Sequence, residues 1–428
     1  MSKLDIAKDL ENRKYKQTIR PFYWFYRFVM DIKAKKYNAE FEIIDDINKE
    51  KGSCFVIFNH LSRIDHYYVT KICYPKKLNI LAGYSEFYRS HLHFAFKHNN
   101  VIPKKNYEND KLWLKAMFQI IKKGGSITFA PEGLASNDGM NKPIVPKTGG
   151  LLKKLKIPVY FVKLEGQYLQ NTKHCLDVRS GKTKATLMKL FSVEDLEKLS
   201  VEEIDDKINL AFKHDEYAWQ KEHRIKWTGM DKSCVRLEDI LYRCPKCNQE
   251  FTAEGTGDQF VCKNCGNLLS LDEYYDLHKV TDDSKSFDSI SDWVLWQRKC
   301  IIDEIRKDDK YEFKERVKIG RLPNDHYLKD LKTSEIVGEG ELTINHDGFH
   351  YVDDNNRDID FSLNWKELYT FITEVDSSYL NMYVHGQYTD IFPTRKSAIK
   401  IGTLIEEMHR LHVNYYKNFP WFEYLYKD

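Results

Sequence analysis

The sequence predicts an α/β fold, a mixed sheet flanked by helices, followed by a cysteine-rich segment and a small β domain that ends in one helix. Three observations predict it. Short apolar runs alternate with helix-like stretches between residues 54 and 221. Two Cys-x-x-Cys pairs stand close together between residues 244 and 265. From Gly338 the pattern turns to short strands broken by polar turns, then to an amphipathic stretch at 397–416. A chain of 428 residues is long enough for two or three such units.

Taken in order, residues 1–37 read as one amphipathic helical segment. Ile19, Phe22, Tyr23, Tyr26 and Met30 recur at helical spacing, and Lys14, Lys16, Arg20, Arg27, Lys33, Lys35 and Lys36 flank them. Aromatics beside cations suit an anionic membrane surface as well as a helix packed on its own core. Residues 54–58, 78–82, 100–103, 126–130 and 157–162 are apolar, rich in β-formers, and predict strands. Helices are expected at 64–74, 86–98 and 111–123, the last ended by Gly124 and Gly125. Residues 175–178 and 185–191 suggest a hairpin, and 192–221 one long helix. The first domain spans 38–225.

Cys244, Cys247, Cys262 and Cys265 form two knuckles with 14 residues between them. That spacing suits four thiolates around one tetrahedral zinc, a structural site because no position stays open for substrate. Residues 226–280 therefore resemble a zinc ribbon; a redox pair is the competing reading. Residues 281–330 read as a linker and a helix at 293–307. Residues 331–428 show strands at 340–344, 349–352, 359–363, 368–374 and 379–385, then the helix. That order is similar to the pleckstrin-homology or GRAM fold, a resemblance that implies binding of lipid head groups or proteins.

The richest stretch is 54–65. A buried strand ends in Asn59-His60, and Asp65 follows where a helix begins. At the carboxyl end of a strand in an α/β sheet, this is a usual place for a site. Asp65 can hold one ring nitrogen of His60 and leave the other as a base. Spacing alone does not decide it: His278 and Asp283, and His385 and Asp390, share the same offset.

The ordered set Asn59-His60-x-Ser62-x-x-Asp65, then Phe129-Ala-Pro131-Glu132-Gly133-x-x-Ser136, then Ile157-Pro158-Val159 resembles the glycerolipid acyltransferases. The best-known members are the 1-acylglycerol-3-phosphate acyltransferases, and the resemblance covers about residues 40–215. It implies transfer of a fatty acyl group from acyl-CoA or acyl carrier protein to a hydroxyl of a lysophospholipid-type acceptor. His60 would be the base, Asp65 its orienting partner, and Glu132 and Gly133 part of the acceptor site. Backbone N–H groups near the helix start would stabilise the oxyanion. Where the family usually has Thr and Arg after Pro-Glu-Gly, this chain has Leu134 and Ala135. Either the phosphate then falls to Lys104, Lys105 and Arg63, or the acceptor has no phosphate there; the basic charge of residues 1–160 favours the first. A non-catalytic lipid-binding adaptor on the same fold is the alternative.

Charge agrees with such substrates. Residues 1–160 carry 29 Lys and Arg against 15 Asp and Glu, while the whole chain is only +3. A basic first part suits anionic lipid or the nucleotide of CoA. No nucleic-acid-binding module accompanies it, so no nucleic-acid partner is expected. There is no run of about 18 apolar residues and no apolar leader, so the expected place is the cytoplasm, peripheral at the inner face of the membrane.

Overall fold

The computed structural model describes residues 4–36, 38–108, 110–373 and 376–413. The first sheet has seven strands: β1 (Ala39–Ile43), β2 (Phe55–Phe58), β3 (Leu78–Gly83), β4 (Ile102–Lys104), β5 (Ser126–Phe129), β6 (Val159–Glu165) and β7 (Thr183–Phe191). Their order is β1-β7-β6-β2-β5-β3-β4. Every neighbouring pair is parallel except β6 with β7. β2 lies in the middle and is buried on both faces: Phe55 and Ile57 enter one apolar cluster, Val56 and Phe58 the other. That explains its unbroken apolar run. The carboxyl ends of β2 to β6 point the same way, and the loops after them meet above the sheet.

The second sheet is antiparallel, in the order β11-β10-β9-β8: β8 (Ala253–Thr256), β9 (Gln259–Cys262), β10 (Leu268–Leu271), β11 (Leu277–Lys279). The third has seven antiparallel strands: β12 (Glu312–Arg321), β13 (Glu335–Asn345), β14 (Gly348–Asp353), β15 (Phe361–Leu363), β16 (Ile372–Thr373), β17 (Leu380–Val384) and β18 (Gln387–Pro393). Its order is β15-β14-β13-β12-β18-β17-β16, and the helix Ala398–Val413 follows. One apolar core joins all three sheets, from Val56 and Tyr68 through Leu269 and Tyr275 to Val317 and Leu404. Among the described residues, no helix is long and apolar enough to cross a membrane.

Local patterns failed where side chains outbid them. The single helix expected at 1–37 is two, Ile6–Asn12 and Arg20–Lys36. Between them the chain is extended and tied to the sheet's edge: Tyr15 N–H donates to Gln119, Thr18 Oγ1 to Asn99 O, and Asn79 Nδ2 to Lys16 O. The expected hairpin is absent, and β7 pairs with β6 and β1 instead. Arg63 and Asn171 both take the carbonyl of Leu176, which removes that stretch from any ladder. The helix expected at 192–221 is three, because Ser192, Ser200 and Asp215 each cap a new start.

β12 and β18, at the centre of the third sheet, escaped the sequence reading. β12 reads as charged, and Glu315 sits on its buried face, where Thr394, Arg395 and Ser397 satisfy it. Residues 312–321, placed in a linker region by sequence, therefore belong to the C-terminal sheet.

Candidate active site

His60 follows β2, and Asp65 opens the helix Asp65–Ile72. The turn between them brings His60 Nδ1 to 2.8 Å from Asp65 Oδ2. The same oxygen accepts from the N–H groups of Leu61 (2.7 Å) and Ser62 (2.9 Å), and Ser62 Oγ donates to Oδ1 (2.9 Å). Asp65 is wholly buried, so this set of donors is what holds its charge. A carboxylate only accepts, so it assigns the proton to Nδ1 and leaves Nε2 as the basic nitrogen. The Leu61 and Ser62 amides are consumed by Asp65, so they do not form the oxyanion site expected near the helix start.

Glu132 is placed differently from the sequence expectation. It is 2% exposed, and its carboxylate accepts from His60 N–H (2.6 Å), Asn141 Nδ2 (2.6 Å) and Lys142 N–H (3.2 Å). Burial pushes its pKa up to about 8, and the three hydrogen bonds pull against that rise. It braces the backbone of His60 from behind. Gly133 does reach the cleft. Its φ is +79°, and a Cβ there would stand 3.1 Å from Tyr107 Oη, so any other residue would be strained in its backbone and would push on Tyr107. Ser136 N–H donates to His60 O at 2.8 Å, which joins the loops after β2 and β5.

His60 opens into a cleft of about 210 Å³. Arg63 lines it, with Nε on Asn171 Oδ1 and Nη2 on Leu176 O, both at 2.9 Å. Lys104 lines it too. Its ammonium lies 4.4 Å from the centre of the Trp113 ring and donates to Lys105 O, and burial lowers its pKa to about 8. Lys105 is not part of the lining; its ammonium rests 4.9 Å above the Tyr84 ring. Ala135 lines the cleft where the related motif carries arginine.

Sequence reasoning missed Tyr84, Ser85 and Glu86 after β3, and Asn171 and Lys173 beyond β6. The signal was available: each follows a strand whose carboxyl end faces the same way as that of β2.

Residues 38–164 match the family model described as Acyltransferase. Those residues are an acyltransferase-family segment within the longer chain. The family model covers the first sheet as far as β6 and leaves the other two sheets unassigned. Among solved structures, the chain is similar to the 1-acyl-sn-glycerophosphate (LPA) acyltransferase PlsC from Thermotoga maritima. Identity is 16%, the TM-score 0.36, and the match covers 47% of this chain and 87% of that one. That likeness is too slight to add to the argument. No curated protein matches the chain.

A second cluster lies apart from the cleft. The Sγ atoms of Cys244, Cys247, Cys262 and Cys265 all lie within 4.8 Å of one another. Cys244 to Cys265 is 3.7 Å and Cys247 to Cys262 is 3.8 Å. A tetrahedron with zinc–sulfur bonds of about 2.3 Å has edges of about 3.8 Å, so the donors fit zinc. The knuckles match in backbone as well. Asn248 N–H donates to Cys244 O and Gly266 N–H to Cys262 O, each with positive φ.

Proposed function

We propose that the chain moves a fatty acyl group from acyl-CoA or acyl carrier protein to a hydroxyl of a lysophospholipid-type acceptor, 1-acylglycerol-3-phosphate-like. The observation that carries this reading is the His60–Asp65 pair at the carboxyl end of β2, in the acyltransferase-family segment, opening into a cleft lined also by Arg63 and Lys104. His60 Nε2 takes the acceptor's hydroxyl proton as the oxygen attacks the thioester carbonyl. The C–S bond then breaks, and the imidazolium returns the proton to the leaving thiolate. Asp65 fixes the ring and stabilises its positive form. Arg63 and Lys104 hold the acceptor phosphate. The half-buried Lys104 ammonium has no carboxylate in hydrogen-bond contact among the described residues, and Asp110 and Glu108 act on it only at longer range, so an anion would relieve it. Lys105 adds charge from behind. The intact pair speaks against a non-catalytic adaptor.

The test is direct. The purified protein is incubated with labelled acyl-CoA or acyl carrier protein and a panel of lysophosphatidate, lysophosphatidylcholine and monoacylglycerol, and products are identified by mass. Acylated lysophospholipid is expected. Acylation of phosphate-free alcohols alone would refute the acceptor assignment.

The four cysteines hold one structural zinc in this reading. Metal analysis of protein purified under reducing conditions should give one zinc per chain, and none would sink it. The helix Arg20–Lys36 turns Tyr23 inward and leaves Trp24, Phe25, Phe28 and Ile32 more than half exposed. Such a patch, in a basic segment, suits a peripheral hold on the anionic inner face of the membrane. Vesicle co-sedimentation that ignores salt and survives deletion of residues 1–36 would exclude this anchor.

A further inference from the structure

The cleft has a far wall outside the family segment. Ile372 and Thr373 of β16, Asn381 and Tyr383 of β17, and Tyr388 of β18 line it together with His60 and Lys104. These strands form one end of the C-terminal sheet. The chain therefore completes its site with residues more than 300 positions after His60.

The wall is pinned in place. Lys173 Nζ donates to Thr373 O at 3.1 Å, and Thr373 Oγ1 is hydrogen-bonded to Asn137 Oδ1. Lys142, whose N–H holds Glu132, sends its ammonium to Glu406 of the C-terminal helix at 2.7 Å. Arg298 meets the other oxygen of Glu406 at 2.7 Å. Burial acts against the charge on Glu406, but Lys142 and Arg298 hold its pKa down to about 2, so the pairing stays charged at neutral pH. Arg236 adds a further tie, to Asp376, at 2.8 Å.

Size gives the wall its meaning. Pockets for drug-sized ligands run to roughly 300–1,000 Å³. At about 210 Å³ this one is smaller, so only the reacting ends of the two substrates fit inside. The acyl chains and the CoA nucleotide or carrier must lie beyond it. On the acyl-transfer reading, the wall stands with Lys104 and Arg63 around the acceptor's head group. Tyr383 is the wall residue best placed to read it. Its ring stands edge-on to Tyr388 at 5.7 Å, and the Lys105 ammonium lies 6.0 Å from its centre. Burial keeps that phenol neutral at any physiological pH.

We propose that the C-terminal sheet selects the acceptor. Tyr383, flanked by Asn381 and Tyr388, closes the cleft behind the phosphate, admitting a phosphomonoester head and excluding a phosphodiester that carries a further group. This rests on the acyl-transfer reading above. A pocket built to a substrate's outline rejects a larger one by clash rather than by lost attraction.

The experiment compares kcat/KM for lysophosphatidate and lysophosphatidylcholine with a common acyl-CoA, in the full chain and two variants. The wild type should prefer lysophosphatidate. Tyr383→Ala should shrink that preference about tenfold, read as a ratio so that general loss of activity cancels. Tyr383→Trp, which fills the cleft, should raise the KM for lysophosphatidate and serves if the alanine variant does not fold. A wild type that acylates, with the acceptor ratio unmoved in Tyr383→Ala or the lysophosphatidate KM unmoved in Tyr383→Trp, overturns the wall alone. A wild type that acylates neither acceptor overturns the wall together with the reading beneath it.

Discussion

At residues 60 and 278 the chain places a histidine five positions before an aspartate, and the two regions use the spacing in opposite ways. His60 stands at the end of a buried strand, and the turn into a helix brings Asp65 back to its ring at 2.8 Å. His278 lies on the short edge strand β11 and gives its Nε2 to Asp272 at 2.9 Å, while Asp283 pairs with Lys246 and Thr281. The next helix starts only at Ile290, beyond Asp283, so none reverses the chain between the two. At the third pair, Asp390 is buried in β18 and accepts from Thr333. The pair is made by the strand–turn–helix around it, and the spacing only permits it.

The sharpest way to break this contrast is His60→Ala. Turnover should fall on the order of 100- to 10,000-fold with the fold intact by circular dichroism. Near-normal turnover would remove His60 from the mechanism. Asp65→Asn should cost on the order of 100-fold or more, because an amide can favour the wrong ring tautomer. It should also lower stability, since Asp65 is the acceptor for two backbone amides and a hydroxyl. A variant with full kcat would show that Asp65 is only a cap.

Glu132→Gln sharpens the comparison, since only the His60 turn has a buried carboxylate behind it. In the folded chain Glu132 has its pKa raised to about 8, so it keeps a proton that the unfolded chain releases near pH 4.5. Its contribution to stability is therefore complete at low pH and is lost as pH rises through about 8. Between pH 6 and 9 the wild type should lose on the order of 2 kcal/mol that the glutamine variant does not. Urea melts at both values measure this, and equal losses in the two proteins would exonerate Glu132. The smallest effect belongs to His278→Ala. Half-exposed and, among the described residues, paired only with Asp272, it should shift stability by no more than about 0.5 kcal/mol and leave acyl transfer alone. A large loss of turnover would mean that the second pair is not idle.

Much of the site was legible because it is local. The apolar run through Phe58, the break at Asn59-His60 and the charge at Asp65 lie within twelve residues, and strand, turn and helix follow from that order. The cysteine knuckles were legible for the same reason: each is a turn of four or five residues closed by its own backbone. The splitting of residues 192–221 into three helices was local too, and Ser192 with Asp195 and Ser200 with Glu203 are signatures that could have been read. β12 was not legible, since its buried Glu315 is tolerable only once Thr394, Arg395 and Ser397 are folded against it.

By itself, then, the sequence determined which residues could do acid–base chemistry and which could hold a metal, since these depend on neighbours along the chain. Tertiary structure decided what they face. Glu132 turned inward because the buried amide of His60 and the side chain of Asn141 needed an acceptor. Lys104 entered the cleft while Lys105 settled over the Tyr84 ring. Tyr383 became the far wall because ion pairs such as Lys142–Glu406, between residues 264 positions apart, fix the C-terminal helix and sheet over the first sheet. Contacts of that range are set by the packing of whole elements, and no local pattern encodes them.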